Sequence, residues 1–202
     1  MVRTAPLSKN PVTRTLHKIL NGIIAVYVEI FRGTPMMVQA MVIYWGYAFA
    51  TEGKTLPLIP SGILIVSINT GAYMAETVRG GINSVDKGEK EGAWSLGMSP
   101  MLTMFRVVLP QAFKNVVPEM VNTFLTNLKM TSVLNVIGVS ELFLVAKTAG
   151  GTYYKYFESY LVIAIIYFVI CFVLNRLFLL LEKRLAKKKA YTLAVEYMEG
   201  TA

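Results

Sequence analysis

The sequence predicts an all-α membrane protein, and three observations predict it. Of the 202 residues, 54% are hydrophobic and only 16% are charged, and the mean hydropathy is +0.52. A globule of this size cannot bury so much apolar surface, whereas a bilayer can take it up. The apolar residues are gathered into four stretches, and the basic residues fall mostly on one side of them. A net charge of +8 would otherwise suggest nucleic acid. Here the lysines and arginines flank apolar segments instead of lining one face of a soluble element, so a membrane-lipid partner and no nucleic acid is expected.

The first stretch is Met36–Ala50, after Pro35, with apolar residues upstream at 19–31 extending it into one long helix broken at the proline. The second covers about 58–78, the third 116–139 and the fourth 160–181. A crossing needs about 20 residues to span about 30 Å. The last three reach that length alone; the first needs its upstream part. Arg3, Lys9, Arg14 and Lys18 precede the first stretch. Arg79, Lys87, Lys90, Arg106 and Lys114 separate the second from the third. Arg176, Lys183, Arg184, Lys187, Lys188 and Lys189 come at or after the end of the fourth. Only Lys54, Lys147 and Lys155 fall on the other side. The bias expects a cytoplasmic N-terminus, middle loop and C-terminal tail, and an even number of spans. One domain over 1–189 is expected, followed by a disordered cytoplasmic tail at 190–202. Met1–Lys18 has no apolar h-region, so no secretory signal is expected. Lone Cys171 and lone His17 give neither an intrachain disulfide nor a metal site.

The loop at about 84–110 reads as two short helices around a corner. Residues 89–96 suit the first, and Gly97 suits the left-handed position that ends it. Ser99 is a good N-cap, with Pro100 at the first helical position. Met101, Met104, Phe105, Val108 and Leu109 follow at helical spacing as one apolar face, and Pro110 is expected to end the helix. Gly92 and Ala93 allow close approach of a partner's backbone. The plain alternative is a connector between two spans.

Glu91-Gly92-Ala93, Gly97 six residues after Glu91, and Val107-Val108-Leu109-Pro110 resemble the EAA loop of importer-type ABC permeases. Glu29-Ile30-Phe31-Arg32-Gly33-Thr34-Pro35, Asn69-Thr70-Gly71-Ala72-Tyr73-Met74-Ala75-Glu76, Arg79-Gly80-Gly81-Ile82 and Val136-Ile137-Gly138-Val139-Ser140-Glu141 resemble the polar amino-acid permease subfamily. Together they cover about 14–185. The resemblance implies a permease helical bundle with cytoplasmic coupling helices in a bacterial cytoplasmic membrane. It implies a family pattern of five spans, of which the first is not seen here. It implies that Glu91, Gly92, Ala93, Gly97, Leu109 and Pro110 couple the chain to a cytoplasmic ABC ATPase dimer, which binds the ATP and Mg; the permease itself has no cofactor and is no enzyme. It further implies an extracytoplasmic amino-acid-binding protein and a second permease subunit, the same or similar. Three departures stand out: Gly92 in place of an alanine, Asp86 where relatives often have proline, and Met130 where they commonly carry an acid.

Polar groups inside apolar spans are costly and therefore candidates for function. Asn122, Thr126 and Lys129 share a helix face, which either lines the substrate path, with Lys129 meeting a carboxylate, or ties helices while Lys129 snorkels outward. Asn69, Tyr73 and Glu76 recur at the same spacing. Asn69 and Tyr73 are candidate hydrogen-bonding groups for a zwitterionic substrate, and Glu76 suits an ion pair with Arg79. The break expected at Pro35 either lines a binding cavity or is a structural hinge with a local Glu29–Arg32 pair. Gly53-Lys54-Thr55 resembles a phosphate loop, but an apolar span precedes it where a strand is needed. A gradient-driven transporter would more readily show inverted repeats, and an intramembrane enzyme would need a metal cluster or catalytic dyad; neither pattern is present. A non-transporting scaffold would tolerate loss of the in-span polar groups.

Overall fold

The structure, a computed structural model, describes residues 11–199, with side chains as far as 180. Arg3, Lys9 and the last three residues of the expected tail lie outside the described residues. The described residues form helices α1 (Pro11–Gly33), α2 (Met36–Ala50), α3 (Leu58–Asn83), α4 (Lys87–Ser95), α5 (Pro100–Thr103), α6 (Leu109–Met130), α7 (Leu142–Tyr153) and α8 (Tyr156–Glu199). A π turn, Met104–Val108, joins α5 to α6, and a 3-10 segment, Thr131–Ile137, follows α6. There is no strand among the described residues.

Little of the chain is core. Met36, Ala40 and Tyr44 of α2 pack with Ile65 of α3 and with Leu134, Ile137 and Val139 at the end of the 3-10 segment. A second small cluster joins Val85, Val108 and Ala112 below α3. Most large apolar side chains point outward, Phe168 at 69% and Ile63 at 63% exposed among them. Such a surface suits lipid, since water would be the costlier neighbour.

The four expected stretches are not four plain helices. Leu58–Asn83 and Tyr156–Leu180 are long and apolar enough to cross a membrane, whereas α2 is a shorter apolar helix. At 1.5 Å per residue, α2 reaches only about 22 Å, short of the hydrocarbon thickness. The break before it at Thr34–Pro35 is real: α1 stops at Gly33 and Pro35 caps α2 in an extended conformation. The third stretch departs more. Expected as one helix over 116–139, it winds down at Met130 into the 3-10 segment, then turns at Gly138, whose φ of +88° favours glycine. The following α7 completes a pair bent by 54°; counted as one broken span, it makes a third crossing. α8 continues as helix to Glu199, through most of the expected tail.

α3 packs along α6, tightly at Gly81. A Cβ at Gly81 would lie 2.2 Å from Val116 Cγ2 and 3.1 Å from the Ala112 carbonyl. The hairpin of α7 and α8 is similarly tight at Gly150, where a Cβ would sit 3.3 Å from Tyr156 Cα.

Candidate functional site

The loop read from sequence as a helix pair folds as one. Asp86 caps α4 by accepting from the Gly88 N–H at 2.6 Å. At the other end Gly97 takes φ +80°, its N–H donates to Trp94 O at 2.9 Å, and the Met98 N–H donates to Ala93 O at 3.1 Å. This is the double bond pattern of a Schellman cap, which satisfies two otherwise orphaned carbonyls. Ser99 then caps α5 by accepting from the Leu102 N–H at 3.3 Å, with Pro100 at its start.

Pro110 does not end the helix. The chain runs on into α6, and the turn before it loosens to a π turn in which the Leu109 N–H donates to Met104 O. A proline inside a regular helix would lack its donor and press on the carbonyl four residues back. One wide turn relieves both problems. It also breaks up the expected apolar face. Val108 is buried, while Met101, Met104 and Phe105 are exposed. Together with Trp94, Leu96 and Leu102, also exposed, they leave the outer surface of this corner apolar.

The predicted contact residues divide accordingly. Glu91, Gly92 and Gly97 lie exposed on α4 and its cap. Ala93 is buried, facing the chain's own fold instead of outward. Leu109 and Pro110 sit at the start of α6. α4 is held against α6 by the Gln111 side-chain N–H, which donates to Glu89 Oε2. The Asn115 amide in turn donates to Ser84 Oγ at 2.9 Å. The helix pair is therefore a capped corner tied to the ends of α3 and α6.

The polar groups within the bundle also divide. Asn122, Thr126 and Lys129 are exposed on one face of α6, and Lys129 makes no ion pair among the described residues. Lys129 stands one residue before the end of α6. Asn127, one residue from Thr126, points elsewhere and donates to Thr70 Oγ1 at 2.8 Å, tying α6 to α3. Asn69, expected as a candidate substrate group, is buried, and its amide donates to Gln39 Oε1 at 2.9 Å and to Phe31 O at 3.3 Å. It faces the α1–α2 break. Tyr73 is 43% exposed and lies beneath the Arg32 guanidinium, 5.7 Å from ring centroid to Cζ.

The Glu76–Arg79 pair forms as expected, with Arg79 Nε 3.0 Å from both carboxylate oxygens and Nη2 2.5 Å from Oε2. The expected Glu29–Arg32 pair is replaced by Arg32–Glu76 at 3.5 Å. Sequence reasoning missed Gln39, whose position four residues after Pro35 in an apolar run was the available signal. It also missed Glu141, which caps α7 by accepting from the Phe143 and Leu144 N–H groups at 2.8 and 2.7 Å. The glycine–lysine loop after α2 is a turn between two helices, preceded by helix and not strand.

Residues 12–187 match the family described as binding-protein-dependent transport system inner membrane component. The L-cystine transport system permease protein TcyB of Bacillus subtilis is 40% identical over 170 residues, covering 82% of this chain and 70% of that protein. The arginine transport system permease protein ArtQ of the same organism is 35% identical, covering 79% and 72%. A solved amino acid ABC transporter, crystallised with histidines, is 39% identical with a TM-score of 0.77, covering 83% of this chain and 77% of that one. A match over nearly the whole chain, with the same helical architecture, makes this a member of the inner-membrane permease family of binding-protein-dependent transport systems, in its amino-acid ABC permease branch.

Proposed function

We propose that this chain is the membrane subunit of an ATP-driven importer for polar or charged amino acids, moved by a separate ATPase through α4. The observation that carries the reading is the corner at Asp86–Met98: both ends of α4 are capped, Ala93 and Glu89 anchor it to the fold, and apolar side chains at its exposed edge lack a neighbour. A helix held this firmly transmits a push instead of bending under it. The chain's N-terminus, α4 and the C-terminal tail are taken as cytoplasmic, following the lysine and arginine bias.

The rest of the assembly follows. An ATPase dimer binds ATP and Mg and closes. A second permease chain, the same or similar, completes the pathway, and an extracytoplasmic binding protein delivers the amino acid. Nucleotide can drive the cycle only by favouring one arrangement of the helices over the other. The open face of α6 with Asn122, Thr126 and Lys129 is the part of the path proposed to meet the substrate, with Lys129 at its carboxylate.

The test is reconstitution in vesicles with the ATPase and binding protein. The expected result is ATP hydrolysis stimulated by at least one polar or charged amino acid in a panel, with matching uptake. Glu91→Arg should release the ATPase from the tagged chain. Lys129→Met should slow uptake while the ATPase stays bound; normal uptake by that variant ends the carboxylate role. Uptake that proceeds equally well without any nucleotide-hydrolysing companion overturns the whole reading.

A further inference from the structure

A proline break inside a bilayer leaves backbone groups without partners, and the way this chain supplies them has a mechanical consequence. In a continuous helix the Phe31 carbonyl would accept from residue 35, but Pro35 has no N–H. Two buried amides fill the gap. Gln39 Nε2 lies 2.9 Å from Phe31 O, 2.9 Å from Thr34 O and 2.8 Å from Thr34 Oγ1. The Asn69 amide, from α3, donates to the same Phe31 carbonyl and to Gln39 Oε1. Gln39 is 6% and Asn69 8% exposed, and no buried side-chain polar atom lacks a partner among the described residues. The amides therefore replace the missing helical bonds and, in doing so, join three helices at one point.

Two further ties lie to either side. Tyr27 donates its hydroxyl to Ile68 O at 2.5 Å. Toward α4, Glu76 of α3 holds both Arg79 and Arg32, and Arg32 also lies over Tyr73. Opening this set would leave two buried amides and a broken-helix carbonyl unpaired, which is the costly outcome. A joint between two helices at a proline is ordinarily a hinge. Here the hinge is closed by side chains from its neighbour.

We propose that Gln39 and Asn69, backed by Tyr27 and the Arg32–Glu76–Arg79 group, form a clasp that makes α1, the start of α2 and α3 one rigid arm. This rests on the function proposed above: α3 leads directly into the corner that carries α4, so displacement of α4 moves the arm as a unit instead of bending it at Pro35. Gln39 and Asn69 are positioning residues, and they act by keeping the break from flexing.

The test has two arms. In the first, the full chain alone in lipid nanodiscs is followed by backbone hydrogen exchange. Gln39→Leu and Asn69→Leu should each speed exchange across 34–39 by about tenfold or more, from lost hydrogen bonds. Unchanged exchange overturns the clasp, and this holds whether or not the chain transports anything. In the second arm, Tyr27→Cys and Gly71→Cys are introduced into a Cys171→Ser chain in the full reconstituted assembly. A Cβ at Gly71 lies 2.8 Å from the Tyr27 hydroxyl, so a short cleavable thiol linker can bridge α1 and α3. Because Tyr27→Cys removes one backing tie, uptake before linking is the reference for this chain, and it should be unchanged after linking and after cleavage. Uptake lost on linking and restored on cleavage means that α1 and α3 move against each other, and the rigid arm is wrong. Uptake independent of ATP in every state would instead sink the importer reading, leaving the clasp to be judged by exchange.

Discussion

Gly81 shows how narrowly one residue can set a helix crossing. The Cβ of an alanine there would come within 2.2 Å of Val116 Cγ2 and 3.1 Å of a backbone carbonyl. Valine is stiff at χ1, and the carbonyl belongs to α6 itself, so neither can move aside cheaply. Gly81→Ala should therefore destabilise the chain by about 1–3 kcal/mol, the usual cost of overpacking. Thermal unfolding in detergent would measure it, and Val116→Ala in the same chain should restore most of the loss. A full-strength Gly81→Ala chain would mean that α3 and α6 are not so close. Nothing in the sequence marked Gly81 above Gly80 beside it; only the packing of α6 distinguishes them, since a Cβ at Gly80 meets nothing within 4 Å. Gln39 makes the same point for polar residues. Its neighbours are apolar and it reads as an oddity until the broken carbonyl beside it is seen.

At the scale of elements, α4 is a nine-residue helix, too short to be stable without its caps. Asp86→Ala should cost about 1 kcal/mol of local stability through the lost N-cap. Gly97→Ala should cost about 1–2 kcal/mol, because a residue with a Cβ pays to hold a φ of +80°. Both should show as faster hydrogen exchange across 87–96, with exchange in α8 unchanged. If α4 carries the ATPase, both should also weaken ATPase retention, and Asp86→Asn should behave like the parent. The caps at Asp86, Gly97 and Ser99 were legible in the sequence because capping is local chemistry. The continuation through Pro110 was not. A proline forbids one hydrogen bond, but whether the chain stops or widens by one residue depends on what the following helix packs against.

For the whole molecule, the decisive question is which side each loop faces. Cysteines at Ser95 and at Tyr154 in a Cys171→Ser chain should answer it, since both positions are exposed. A membrane-impermeant thiol reagent applied to intact cells should label the Tyr154 position at once and the Ser95 position only after permeabilisation. The reverse pattern would place α4 away from any cytoplasmic motor. The wide apolar exterior, with α8 almost entirely unburied over Tyr156–Leu180, suits lipid contact along most of its length. Unfolding of the isolated chain in detergent should accordingly be less cooperative than unfolding of the assembled transporter.

Composition and charge placement by themselves determined that this is a helical membrane protein, and its motifs determined the permease family and the capped loop. These are properties of short windows: an apolar run, a cap residue, a glycine after a helix. Tertiary structure alone decided that Asn69 serves the α1–α2 break, that Arg32 pairs with Glu76 and not Glu29, and that the third apolar stretch bends into α7. Each of those outcomes turns on which helix lies alongside. In a chain whose spans carry few polar groups, the buried ones are paired, and which partner each takes is set by packing.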